Sequence, residues 1–235
     1  MTRISLTKVG GICALLGPLS FLAGGVIEGV FGVQSFPEQV TELEEWARNW
    51  TDTAVMPGVV AFSVLAEALL VPAALGFYEV LRRDTGRILR LAVVTVIMGS
   101  IFLSASFLIE TVNASEVAPS YLEADESARP ALGVLAVTLR QLQLVLRWYG
   151  DVLAFGVGLG LFALASIRTS LVPTWIGWVG VLGALLAGWL APLQSVSDVF
   201  GISFLGVPLL IVWMVWMGVT MLRSHPPAEI GEEAT

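Results

Sequence analysis

The sequence predicts an all-α integral membrane protein: a bundle of six transmembrane helices, both termini cytoplasmic, with a short amphipathic helix on the outer interface. Three observations lead there. Of 235 residues, 56% are hydrophobic and 13% charged, where a soluble domain carries about 25% charged residues, and the mean hydropathy is +0.85. Six apolar runs occupy residues 9–33, 54–81, 89–112, 134–167, 171–192 and 201–222, each near or above the ~20 residues that span a hydrocarbon core. Basic residues gather at alternate connections, which sets orientation by the positive-inside rule.

The first run follows the basic lead MTRISLTK. It is longer than the ~7–15 apolar residues of a signal peptide and no clear cleavage site follows, so it is expected to be retained as a helix. Arg3 and Lys8 precede it; Arg82, Arg83, Arg87 and Arg90 surround the link between runs two and three; Arg168 follows run four and Arg223 follows run six. All these connections are therefore expected on the cytoplasmic side. Residues 1–223 form one membrane domain and 224–235 a short cytoplasmic tail, expected to be disordered.

The connection SFPEQVTELEEWARNW lies on the outer side. Ser35 and Glu38 have capping-box spacing, and Phe36, Val40, Leu43, Trp46 and Trp50 fall near one helical face, which predicts a short interfacial amphipathic helix. The second outer connection, NASEVAPSYLEADESARP, is acidic and expected to be partly helical. Asn49 and Asn113 each open a glycosylation triplet. Small residues at packing spacing, Gly25 with Gly29, Gly156 with Gly160, and Gly180, Ala184 and Gly188, favour close helix contact.

The fourth run carries the unusual polar content. In TLRQLQLVLRWYGD, Arg140, Gln143, Arg147 and Asp151 fall within about an 80° arc of a helix. Arg147 and Asp151 are also spaced to pair along it. Glu28 and Glu110 fall near the outer ends of their runs, while Glu67 lies about 20 Å from either end of its own. A charged side chain at the bilayer centre costs about 2.5–3.5 kcal/mol even on the lenient insertion scale. These residues are therefore expected to meet inside the bundle, with Glu28, Glu110 and Asp151 neutralising Arg140 and Arg147 around an outward-facing polar vestibule, and with Glu67 deeper and unpaired. The same residues could instead form a dry ion network that only orients the helices, and both readings stay open at this stage.

Several functions are excluded or disfavoured. Cys13 and His225 are the only cysteine and histidine, so disulfide, zinc, haem and Ser-His-Asp chemistry lack their ligands or bases. No metal or cofactor is expected, and no basic patch with interleaved aromatics points to nucleic acid. An enzyme would have to use Glu67, Asp151 and Tyr149 as acid and base, which is the least favoured reading. The favoured one is binding or transport of a small solute, proton or cation in the vestibule. The alternative is a sensory or accessory subunit that binds a lipid or small amphiphile without transport. The bilayer itself is the expected partner, with a homo-oligomer or an accessory protein left open.

LGFYEVLRRDTGRILRLAVV and YGDVLAFGVGLGLFALASIRTSLVPTWIGWVGVLGALLAG carry a pattern of their own: an aromatic-rich helix end with a basic turn, a Gly-rich helix, a short basic turn, a Leu/Val-Pro step and a Trp-Gly helix. In these stretches, about half the chain, the sequence resembles a family of prokaryotic multi-pass membrane proteins catalogued as a domain of unknown function (number 4386). The resemblance implies a membrane bundle and no established activity, so no site residues follow from it.

Overall fold

The computed structural model describes residues 5–31, 43–51, 56–169, 171–190 and 205–224. These residues form helices and turns, with no strand among them. In chain order they are α1 (Leu6–Phe31), α2 (Leu43–Thr51), α3 (Met56–Val112), π1 (Asn113–Val117), α4 (Ala118–Glu123), α5 (Arg129–Asp151), π2 (Val152–Leu159), α6 (Gly160–Ile167), α7 (Thr174–Ala184), π3 (Leu185–Trp189) and α8 (Gly206–Arg223). Five stretches are long and apolar enough to cross a membrane: Leu6–Ile27, Gly58–Arg82, Gly86–Glu123, Arg129–Ile167 and Gly206–Arg223. Thr174–Trp189 is a shorter apolar helix. The chain is an integral membrane protein.

α3 is helical over 57 residues, which as one straight rod would reach about 85 Å. Side-chain neighbours show that it doubles back. Gly10, Gly17 and Gly24 of α1 lie in turn against Gly76, Ala66 and Phe62, so α1 runs antiparallel to the first half of α3. The second half packs instead on α5 and π2, with Gly99 against Ala154, Leu103 against Gly150 and Val96 against Gly158. Glu67 sits beside Ser100, although 33 residues of straight helix would hold them about 50 Å apart. The reversal lies where the two apolar stretches meet, between Arg82 and Gly86. Beside it Glu79 and Arg82 pair at 2.8 Å.

Two hydrophobic cores result. The larger joins α1, α3, π2, α6, α7 and α8 through residues such as Phe77, Phe162, Leu159, Ile176 and Trp213. Phe77 packs its ring on Phe162 at 5.6 Å and on Trp213 at 5.2 Å. The smaller lies at the opposite end from the Arg82–Gly86 turn and gathers Leu43, Trp46 and Ala47 of α2 onto Val59, Val60, Val117, Ala118 and Ala136. The amphipathic helix expected in the first long connection is thus present as α2, with its apolar face on protein. Ser35, Phe36, Glu38 and Val40, at the expected start of that helix, lie outside the described residues, as does the tail beyond Ser224.

The two long apolar stretches explain this second core. Gly86–Glu123 and Arg129–Ile167 hold 38 and 39 residues, each worth about 57 Å of helix against a hydrocarbon core of about 30 Å. Counted from their shared basic end, their far portions rise beyond the hydrocarbon. There π1 and α4, which end the first of these stretches, pack with α2 as a small headpiece.

Glycine spacing has mixed outcomes. Gly156 and Gly188 bring π2 and π3 into backbone contact, and Gly160 meets Ala184. Gly180 lies under the Trp213 ring. Among the described residues a side chain at Gly25 would meet nothing within 4 Å, so there the Gly25–Gly29 pattern marks no crossing at that residue.

Candidate functional site

The polar face of α5 is continuous in the sequence, but the fold gives its residues three different environments according to depth. In the headpiece, Arg140 Nη1 donates to Gln143 Oε1 at 3.1 Å, and Gln143 Nε2 donates to Glu110 Oε2 at 3.1 Å. Gln143 is fully buried. Its amide presents an acceptor to the guanidinium and a donor to the carboxylate, so it joins opposite charges through one neutral group. One turn beyond Glu110, Asn113 Nδ2 donates to the Ala136 carbonyl at 3.2 Å. Asn113 is wholly buried, so the glycosylation triplet it opens is closed to modification in this fold. The side chain of Asn49 lies outside the described residues.

Arg147 lies 20 residues above Ile167, about 30 Å along the helix, at the far edge of the hydrocarbon. It is exposed, with its guanidinium carbon 5.9 Å from the centroid of the Phe107 ring. The expected pairing of Arg147 with Asp151 does not form: among the described residues the ion pairs within 4.0 Å are Arg48–Glu44 and Arg82–Glu79. Arg147 leans across to α3 instead of down its own helix, although Asp151 still feels its charge.

Glu67, Ser100 and Asp151 share a deeper level. Counted from Arg82, Gly86 and Ile167, they stand about 22, 21 and 24 Å from the basic end, which is why three separate stretches bring them together. Glu67 is 5% exposed. Its carboxyl neighbours the Ser100 hydroxyl and lies within electrostatic reach of Asp151 and Arg147. Glu67 Oε2 and Ser100 Oγ are both buried with no hydrogen bond of 3.5 Å or less, although the two groups stand near enough to interact. Asp151, half-buried, ends α5 where the backbone widens into π2.

Glu67 also borders a cavity of about 60 Å³. Gly17, Pro18 and Phe21 of α1, Ala66, Glu67 and Leu70 of α3, Phe155 and Leu159 of π2, and Val207, Leu210, Ile211 and Met214 of α8 line it. Among these residues Glu67 alone has a polar side chain. Among the described residues no three His, Cys, Asp or Glu side chains converge as a metal ion would require.

The candidates named from the sequence therefore separate. Arg140, Gln143 and Glu110 form the headpiece chain, Arg147 marks the boundary, and Glu67 with Asp151 occupies the membrane level. Glu28 stands on α1, with its side chain outside the described residues. Sequence reasoning missed Ser100, which counting from the Arg82–Gly86 turn would have placed level with Glu67. It also missed the α8 wall of the cavity, for which four ordinary apolar residues give no signal.

The family model described as Domain of unknown function (DUF4386) matches residues 9–223, a far wider extent than the two stretches in which the resemblance is visible by eye. No curated protein and no solved structure matches the chain. The matched segment takes in all the apolar helices, the headpiece and the walls of the cavity, and the chain belongs to the DUF4386 family.

Proposed function

We propose that this protein binds a small amphiphile drawn from the bilayer, a long-chain alcohol in chemical class, with its hydroxyl at Glu67 and its chain in the apolar cavity. One observation carries the reading: a carboxyl oxygen, buried and unpartnered, on the wall of a cavity whose other lining side chains are apolar. A water occupies about 30 Å³ and needs two to four polar partners, so water alone suits the polar corner and not the remaining space. A hydroxyl both donates and accepts. It can donate to the Glu67 carboxyl when that is ionised and accept from it when protonated, which an ammonium head cannot do. The cavity is too small for a whole amphiphile and is open on one side, so the rest of the chain would stay in lipid.

This reading takes the protein as a six-pass protein of the cell membrane, with Thr174–Trp189 as its shortest pass, both termini cytoplasmic and the headpiece outside. Arg82, Arg87, Arg90, Arg168 and Arg223 at one end support that orientation. A second reading, a proton or cation site at Glu67, Ser100 and Asp151, draws on the common level of these three groups.

The test is photolabelling in lipid nanodiscs with a long-chain alcohol that carries a diazirine on its chain. Labelling is expected on Phe21, Phe155 or Met214, with a large loss in Glu67→Leu and in Leu210→Trp, which fills the cavity. Labels spread over lipid-facing residues such as Leu19 and Leu108, unchanged by either substitution, would reject amphiphile binding and leave the ion reading.

A further inference from the structure

We infer that Arg147 is the binding point for the phosphate of an anionic phospholipid, in the leaflet on the headpiece side. The inference is independent of the cavity and its occupant. Arg147 belongs to an apolar stretch, is exposed, and has no carboxylate within 4.0 Å among the described residues. The carboxylate nearest along the chain, Asp151, leaves it unpaired, and Glu110 is engaged by Gln143. At its level the bundle carries exposed side chains suited to lipid, among them Leu108, Val145 and Tyr149. A guanidinium at this depth is too shallow to pay the full cost of the bilayer centre, yet it still lacks a counter-charge from the protein.

Geometry selects the partner. At about 30 Å above Ile167, Arg147 reaches the level where the hydrocarbon ends and phosphates begin. Phe107 covers one face of the guanidinium, which leaves its in-plane N–H donors free for a planar, two-point contact with phosphate oxygens. Tyr149, packed at 6.3 Å against Phe102 on the far side of α5 from Arg147, stands at nearly the same depth and has the amphipathic ring that suits a membrane boundary. Of the other basic side chains on this side, Arg48 pairs with Glu44, Arg140 donates to Gln143, and the exposed Arg129 stands about 27 Å further along α5, well past the level of Arg147.

The experiment uses the full-length protein in nanodiscs of equimolar phosphatidylglycerol and phosphatidylcholine, with native mass spectrometry of the lipids retained after release. Wild type is expected to retain phosphatidylglycerol preferentially. Arg147→Gln should lower that preference about fivefold, the equivalent of the ~1 kcal/mol that one basic side chain contributes at an anionic surface. Arg147→Lys, which keeps the charge but loses the planar two-point contact, should keep only part of it. An unchanged preference in Arg147→Gln would overturn the assignment. Thermal unfolding in phosphatidylcholine alone shows whether Arg147→Gln folds; should it not, Phe107→Leu, which keeps the charge but uncovers it, is expected to weaken retention, and no change there would count against the site. Inorganic phosphate added to phosphatidylcholine nanodiscs is expected to leave stability unaltered. Stabilisation by free phosphate that disappears in Arg147→Gln would mean a site for a soluble anion and would refute the lipid assignment.

Discussion

Replacing Gln143 with leucine tests the headpiece chain directly, because the two side chains are close in size and the change removes only the amide. The substitution cuts both 3.1 Å bonds, one from Arg140 and one to Glu110. Hydrogen bonds to charged groups contribute about 1.5–3 kcal/mol each, while interhelical polar contacts inside a bilayer average only about 0.6 kcal/mol. Gln143 stands beyond the hydrocarbon but is fully buried in protein, so the first range applies. Arg140 and Glu110 keep other interactions, which holds the expected loss to about 3 kcal/mol, toward the lower end for two such bonds. For a chain of this size that corresponds to a fall of about 6–12 °C in Tm, measurable from the fluorescence of its tryptophans in nanodiscs. Gln143→Leu and Glu110→Leu should also be strongly non-additive, since either one breaks the same bridge. A Tm loss under about 3 °C, or simple additivity, would refute the view that Gln143 joins the two charges.

Two further outcomes follow from the packing and the caps. A methyl at Gly188 would collide with the Gly156 backbone, so Gly188→Ala should cost at least the ~1–3 kcal/mol of an overpacked core, whereas Gly25→Ala, which meets nothing within 4 Å, should be neutral or gain about 0.5–1 kcal/mol through helix propensity; equal thermal shifts for the two would show that π2 and π3 do not cross as described. Asp125 accepts from Ser127 Oγ at 2.7 Å and from the Ala128 and Ser127 N–H groups at 2.9 Å each, and these bonds hold its carboxyl below the usual aspartate range. A depressed folded value stabilises above the unfolded one, about 3.9, and the benefit disappears as pH falls through the folded value. Acidification below about pH 4 should therefore weaken the α4–α5 corner in wild type more than in Asp125→Ala, as read by hydrogen exchange at Ser127 and Ala128; parallel acid profiles would show that the carboxylate contributes nothing there.

The helical content and the apolar stretches were legible because they rest on local composition, and the α2 face was legible because Leu43 and Trp46 repeat with helical spacing. The α5 stripe was legible as a face and illegible as a site. Periodicity places Arg140, Gln143, Arg147 and Asp151 on one side of a cylinder, but their different partners depend on what stands opposite at each depth: Glu110 in the headpiece, Phe107 at the boundary, Glu67 and Ser100 below. Among the described residues, those expected to line the vestibule divide between a buried amide-bridged chain at one end and the wall of an apolar cavity nearer the middle. Glycine patterns met the same limit. Gly25 and Gly188 sit in similar small-residue motifs, yet only Gly188 finds another backbone, since spacing along one helix says nothing about the register of its neighbour.

Depth also explains why one atom outweighs the rest in assigning a ligand. Hydroxyls within a membrane helix can bond to the carbonyl three or four residues back, and most here do: Ser63 to Val59, Thr95 to Leu91 and Ala92, Ser106 to Leu103, Ser166 to Ala163. Such groups are satisfied within their own helix and imply no visitor. A glutamate cannot use that solution when ionised, because its oxygens only accept and the helical N–H groups are already engaged. Gln143 resolves the same difficulty for Glu110 by supplying a donor from a second helix, but the equivalent space beside Glu67 is the cavity. The fold thus provides a neutral donor for the carboxyl outside the hydrocarbon and leaves the one inside facing Phe21, Phe155, Leu159 and Met214. A buried acceptor left open costs about 1–3 kcal/mol, a cost that a hydroxyl arriving from the bilayer would remove without bringing any charge into the membrane.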